Sequence, residues 1–156
     1  MERFGKSQNI GEGAIAASIK PLTRFHATHW HEFYEIEYVL SGEGDYCIDG
    51  KHYPMGAGML FFMTPLNFHS VDTKDCRVVN VMFSERLCDG VLLARWLATV
   101  GCQAVALQGE SRQLLEALLC ELAQSGSDER YASGLMNAIL GKLVQKLKIT
   151  LLRAPS

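Results

Sequence analysis

The chain changes rhythm once. Between about residues 14 and 84 apolar residues come in short, alternating runs separated by turn formers. These runs predict strands over residues 14–20, 33–40, 45–48, 59–64 and 77–83. The turn signals between them are Ser41-Gly42-Glu43-Gly44, Asp49-Gly50, Gly56-Ala57-Gly58 and Pro65-Leu66-Asn67. Asp49-Gly50 suits a tight type I′ hairpin, because both residues tolerate positive φ. Residues 1–13 are polar and glycine-bearing and read as a loose arm.

After Ser84 the apolar period becomes helical. Ser84 is placed to cap a helix with Glu85 in its first turn. Val91, Leu92, Arg95, Trp96 and Val100 fall near one face, and Gly101 is its stop. Residues 102–107 suit one more short strand. Residues 111–124 predict a helix striped by Leu114, Leu115, Leu118, Leu119 and Leu122. Ser125-Gly126-Ser127 breaks it. A second helix follows over about 128–151, striped by Leu135, Met136, Ile139, Leu140, Leu143, Val144 and Leu147. Strands first and helices after argue for an α+β, mainly β, fold. A barrel with an N-terminal arm and one short helix is expected over 1–108, and an αα-hairpin over 109–156. The two stripes can pair with each other, cover the barrel, or meet a second copy of the chain.

Composition narrows the classes. The 156 residues are 48% apolar, enough for one real core. A net charge of -2 gives no global field to draw in nucleic acid. Lys142, Lys146, Lys148 and Arg153 make the last segment locally basic, which reads as a solvated helix face. Cys47, Cys76, Cys88, Cys102 and Cys120 are widely spaced without a CxxC, so a disulfide framework or zinc finger is not expected. No signal-peptide core or membrane-length apolar run occurs, and the cytosol is the expected location. Neither a GxSxG elbow nor a glycine-rich phosphate loop is present.

The chemistry concentrates in His29-Trp30-His31-Glu32-Phe33-Tyr34-Glu35-Ile36-Glu37, followed later by His69. Histidines at i and i+2 of a strand point to one side, a common way for a β-scaffold to grip a transition metal. Glu35 lies about 13 Å past His31 on a straight strand, too far to share an ion. The set closes only if the chain bends near Glu32-Phe33, so that His31 ends one strand and Glu35 opens the next. His69 must return from the opposite side, behind the turn that Pro65 and Asn67 supply.

Alternation sorts the remaining positions. Phe33, Glu35, Glu37 and Val39 share one face, and Tyr34, Ile36, Tyr38 and Leu40 the other. The second face is large and apolar and needs a cover, for which the C-terminal helices are candidates. Two carboxylates inside a barrel are costly unless solvated, paired or liganded, which marks the first face as the pocket side. Glu37 sits either inside or at the mouth in water. Arg24 and His26 either line the mouth or are exposed. Tyr46 either offers a hydroxyl to a sugar or packs in the core. Trp30 is expected against a helix, His52 in solvent, and Met55, Met59, Met63 and Met82 as core filler.

These residues resemble the cupin superfamily. Its first motif has the form HxH, three or four residues, E, six residues, G; His29, His31, Glu35 and Gly42 stand at those spacings. Its second motif has a glycine, a PxG turn, two residues and a histidine. Gly58, Pro65 and His69 match, while Asn67 replaces the turn glycine and the gap before His69 is one residue short. The resemblance implies a cupin-type double-stranded β-helix, a jelly-roll barrel. It also implies a metal tetrad of His29, His31, Glu35 and His69 for one divalent transition metal (Zn, Ni, Fe or Mn). In the AraC-type members these residues can instead hydrogen-bond one another or a ligand.

Residues 29–36, 38–42, 58–62 and 65–69 more narrowly resemble the N-terminal domain of AraC-type transcription regulators. The likeness runs from about residue 14 to 150. It implies a sensor that binds a sugar or another small molecule, with His29, His31, Glu35, Glu37, His69, Arg24 and Tyr46 as the ligand-binding candidates. It implies a homodimer through the trailing helices, and DNA contact only through a C-terminal pair of helix-turn-helix motifs absent from this chain. Leu152-Arg153-Ala154-Pro155-Ser156 reads like the start of a linker, so a fragment of a longer regulator is expected. No catalytic residue is expected. The competing readings are a metal-dependent cupin enzyme, such as a dioxygenase or sugar isomerase, and a dimerising module with a vestigial pocket.

Overall fold

Two long antiparallel strands carry the architecture, and every other strand hangs on one of them or on its neighbour. In the computed structural model the described residues are 2–4, 13–22, 26–125 and 127–153, with side chains described for 13–22, 32–125 and 127–146. The strands are β1 (Glu2–Phe4), β2 (Ile15–Leu22), β3 (His26–His31), β4 (Tyr34–Ile48), β5 (Lys51–Met55), β6 (Met59–Met63), β7 (Phe68–Phe83) and β8 (Ala104–Ala106). The helices are α1 (Gly90–Leu97), α2 (Gly109–Ser125) and α3 (Glu129–Arg153). β4 and β7 pair from Tyr34 against Phe83 to Ile48 against His69. The far half of β7 also pairs with β2 and its near half with β3; β4 likewise takes β6 and then β5. β8 extends β6, and β1 lies parallel to β3, so residues 2–4 of the expected loose arm are a strand.

Asp49 (φ 50°) and Gly50 (φ 83°) form the expected type I′ turn between β4 and β5. Ser41-Gly42-Glu43-Gly44 does not form a turn. It lies inside the 15-residue β4, where the pairing with β7 shifts between Val39 and Ser41 and again between Glu43 and Gly44. Gly42 has φ +95°, and a Cβ there would stand 2.0 Å from the carbonyl oxygen of Asp75. The glycine that reads as a chain reversal instead lets two strands cross closely at a bulge.

The region after Ser84 also differs from the expectation. Residues 85–87 form only a 3₁₀ turn, and the Ser84 hydroxyl makes no capping bond. The helix starts at Gly90, capped by the Asp89 carboxylate, which accepts from Val91 N (2.9 Å) and Leu92 N (3.0 Å). Leu93 and Trp96 are its buried residues, whereas Val91 and Val100 are exposed. Leu114, on the expected stripe of α2, is also exposed, while Leu115, Leu119 and Leu122 are buried.

The buried apolar residues form two layers on either side of β4 and β7. Ile36, Tyr38, Val79, Val81 and Phe83 pack outward against Leu93 and Trp96 of α1, Leu115, Leu119 and Leu122 of α2, and Ala132, Met136, Ile139, Leu140 and Leu143 of α3. Val39, Tyr46, Ile48, Val78 and Cys76 pack inward with Leu22, Met55, Phe61, Met63 and Val71. The three helices therefore cover the apolar sheet face, and the other face closes on itself. Among the described residues no helix is long and apolar enough to cross a membrane.

Candidate functional site

Two offset bulges build the interior wall. Side chains of a strand alternate between faces, so one extra residue sends everything beyond it to the opposite side. β4 has an extra residue at position 40 and β7 at position 74. On β4 the inner positions are therefore Glu35, Glu37 and Val39 before the bulge, and Tyr46 and Ile48 after it. On β7 they are His69 and Val71 before, and Cys76, Val78 and Asn80 after. An odd-numbered glutamate and an even-numbered tyrosine of one strand thus meet on the same side.

Glu35 and Glu37 are each 4% exposed, and His69, Tyr46 and Asn80 are buried with them. Asn80 Nδ2 donates to Glu35 Oε1 at 2.6 Å. The Tyr46 hydroxyl donates to Glu37 Oε1 at 3.0 Å and lies 3.6 Å from Met63 Sδ. His69 Nε2 is 3.6 Å from Glu35 Oε2 and 3.9 Å from Glu37 Oε1. The Tyr46 ring is sandwiched, stacked on Phe61 at 4.0 Å and parallel to His69 at 5.6 Å. Burial pushes the Glu35 carboxyl well above the usual carboxylate range. The neighbouring charge of Glu37 and a side-chain hydrogen bond with it add to this, against the Asn80 hydrogen bond and the Lys20 charge. Burial, then Glu37 and Glu35, push the Tyr46 phenol well up.

One donor atom each from Glu35, Glu37 and His69 lie within 4.8 Å of one another. Bonds of about 2.0–2.2 Å place two ligands of a shared ion about 3–4 Å apart. The imidazole–carboxylate separations of 3.6 and 3.9 Å fall in that range. The cluster can thus bind a cation, or donate and accept hydrogen bonds with a polar organic molecule.

The bend required near Glu32-Phe33 is present: β3 ends at His31, residues 32 and 33 bend, and β4 opens at Tyr34. His29 pairs in register with His69, so the two strands carrying the histidines are neighbours. The side chains of His26, His29, Trp30 and His31, and all of Arg24, lie outside the described residues. Glu35, Glu37, Tyr46 and His69 converge, and the open question over Glu37 closes in favour of the interior. His52 is on the surface, 2.6 Å from Asp45. Asn67 needs no positive φ. Its side chain accepts from Thr64 N at 2.8 Å and donates to Asp49 at 2.5 Å, so it ties the turn before His69 to the β4–β5 hairpin. Sequence reasoning missed Asn80, although a lone amide among Val78, Val79 and Val81 is a detectable signal. It also missed the Phe61 ring that holds Tyr46.

A model of the AraC-like ligand binding domain matches residues 14–143. No curated protein matches the chain in sequence. Among solved structures, a protein described as a predicted oxalate decarboxylase from Thermotoga maritima is 27% identical. That match covers 44% of this chain and 64% of the other, with a TM-score of 0.41. The Schizosaccharomyces pombe Cnp3 cupin domain is 13% identical over 49% of this chain and 60% of its own, with a TM-score of 0.45. KdgF from Halomonas sp. is 20% identical over 47% and 71%, with a TM-score of 0.43. The chain spans less than two thirds of the first two of these proteins.

Proposed function

Because this chain belongs to the AraC-like ligand-binding domain family, a cupin β-barrel with a helical C-terminus, we propose that it senses a sugar or similar small molecule for a transcription regulator. The observation that carries the reading is the inner wall itself. Two carboxylates, an imidazole, a phenol and an amide occupy places where aliphatic side chains would cost less. Such a set recognises hydroxyl groups from several directions. Glu35 and Glu37 accept, Asn80 holds Glu35 in place, and Tyr46 orients Glu37.

In this reading His29 and His31 join Glu35 and His69 as ligands of one divalent transition metal (Zn, Ni, Fe or Mn), and Arg24 is a further effector-binding candidate. The donor set fits such an ion: a carboxylate oxygen and an imidazole nitrogen 3.6 Å apart, with the His29 backbone opposite His69. A bound ion would supply fixed positive charge and open positions for effector oxygens. Residues 1–108 form the sensing unit, and 109–156 the hairpin that dimerises. DNA is contacted only through a further C-terminal domain, in the cytoplasm. No residue is assigned a catalytic role.

Calorimetry and thermal unfolding of the 156-residue chain with a panel of aldoses and polyols, with and without chelator, test this. One sugar is expected to raise the melting temperature by several degrees at about 100 times its Kd, equivalent to about 2.7 kcal/mol. The sugar should be recovered unchanged. Turnover of a sugar or uptake of oxygen would move the assignment to a cupin enzyme. Light scattering showing a monomer at all concentrations would remove the dimerisation role.

A further inference from the structure

Glu37 stands outside the four positions that the HxH…E…H pattern offers to a metal, yet it is as deeply buried as Glu35. Its Oε1 is held by Tyr46 and lies 3.9 Å from His69 Nε2. Its Oε2 is buried and receives no hydrogen bond from an amide, hydroxyl or imidazole donor among the described residues, and neither does the Oδ1 of Asn80, the residue opposite it in register. A tyrosine–glutamate hydrogen bond uses one carboxylate oxygen and leaves the other to be satisfied. Glu35 and Glu37 lie within side-chain hydrogen-bond reach of each other, and with both ionised one imidazole would offset at most one of their charges, so a divalent cation is the natural third partner. We propose that Glu37 is itself a ligand of a divalent cation shared with Glu35 and His69, which makes the centre a two-carboxylate site. This rests on the metal-bearing version of the sensor reading. Tyr46 is then a positioning residue that fixes the Glu37 carboxylate from behind. Added to the imidazoles of that reading, a second carboxylate makes the donor set mixed and shifts it toward Mn²⁺ from the Zn²⁺ and Ni²⁺ that imidazole alone suits.

The test is titration of the chelator-treated 156-residue chain with Mn²⁺, followed by calorimetry and by the Mn²⁺ electron paramagnetic resonance signal, for wild type, Glu37→Gln and Tyr46→Phe. Wild type is expected to bind one Mn²⁺ per chain, Glu37→Gln at least tenfold more weakly, and Tyr46→Phe more weakly than wild type but better than Glu37→Gln. Without metal, Glu37→Gln is expected to melt no lower than wild type, since a repelling charge has been removed. In unsubstituted protein, the infrared difference spectrum on adding Mn²⁺ should show two carboxylates changing, which keeps the test independent of any variant's folding. Equal Mn²⁺ affinity in wild type and Glu37→Gln would overturn the proposal, as would a single carboxylate in the infrared spectrum. Sugar binding by a chain that takes no cation would sink the Glu37 role and leave the sensor reading standing. A Glu37-dependent cation site in a chain that binds no organic ligand would do the reverse.

Discussion

Glu35 is the residue with the most unusual environment. Its folded-state carboxyl holds a proton to higher pH than the unfolded chain does, mainly through burial and then through the Glu37 charge. A group of this kind gives stability that is fully present below the ordinary carboxylate pKa and is lost as pH rises through the folded value, because there the folded state binds more protons than the unfolded one. Metal-free protein is therefore expected to lose stability from mildly acidic to neutral buffer, and Glu35→Gln to flatten that slope in urea melts. An unchanged slope would assign the pH dependence elsewhere. Asn80 belongs to the same unit, since it donates at 2.6 Å to the carboxyl whose proton is in question.

At the level of elements, the bulges govern which residues face inward. Gly42→Ala forces a Cβ against the Asp75 carbonyl and a side chain into a positive-φ position. It is expected to cost about 2 kcal/mol or more, measured as a lowered urea midpoint. Asp89→Ala removes the two-bond cap of α1 and is expected to cost about 1 kcal/mol, whereas Ser84→Ala should cost less. At both positions the sequence pointed elsewhere, to a turn at Gly42 and a cap at Ser84; other stretches were legible. The alternation assigned both faces of β4 from Tyr34 to Val39, because the first irregularity comes only at position 40. The tyrosine beyond Gly42 could not be assigned, since its side depends on an extra residue at 40 that only the partner strand reveals. Asp49-Gly50 was legible because a two-residue turn leaves few alternatives. Gly42-Glu43-Gly44 was not, because the same residues serve a turn or a bulge. The Glu32-Phe33 bend followed from distance alone.

For the whole molecule, the helices and the barrel share one outer core. Trp96 is fully buried and sits edge-on to Phe62 of the sheet at 5.9 Å. Trp96→Ala is expected to cost about 3–5 kcal/mol, a large part of the stability of a domain this size. Far-ultraviolet and near-ultraviolet signals should still be lost together; separate transitions would mean that the helical layer folds by itself. The β4 strand gives this arrangement a further property. Glu37 faces the enclosed side, and the next residue, Tyr38, faces the helices, where its hydroxyl donates to Glu116 of α2 at 3.2 Å. The enclosed polar cluster and the helical cover are thus joined through a single peptide unit. On the proposed sensor reading, an effector held at the Glu37 carboxylate would bear on a backbone whose next side chain is already tied to the helical cover.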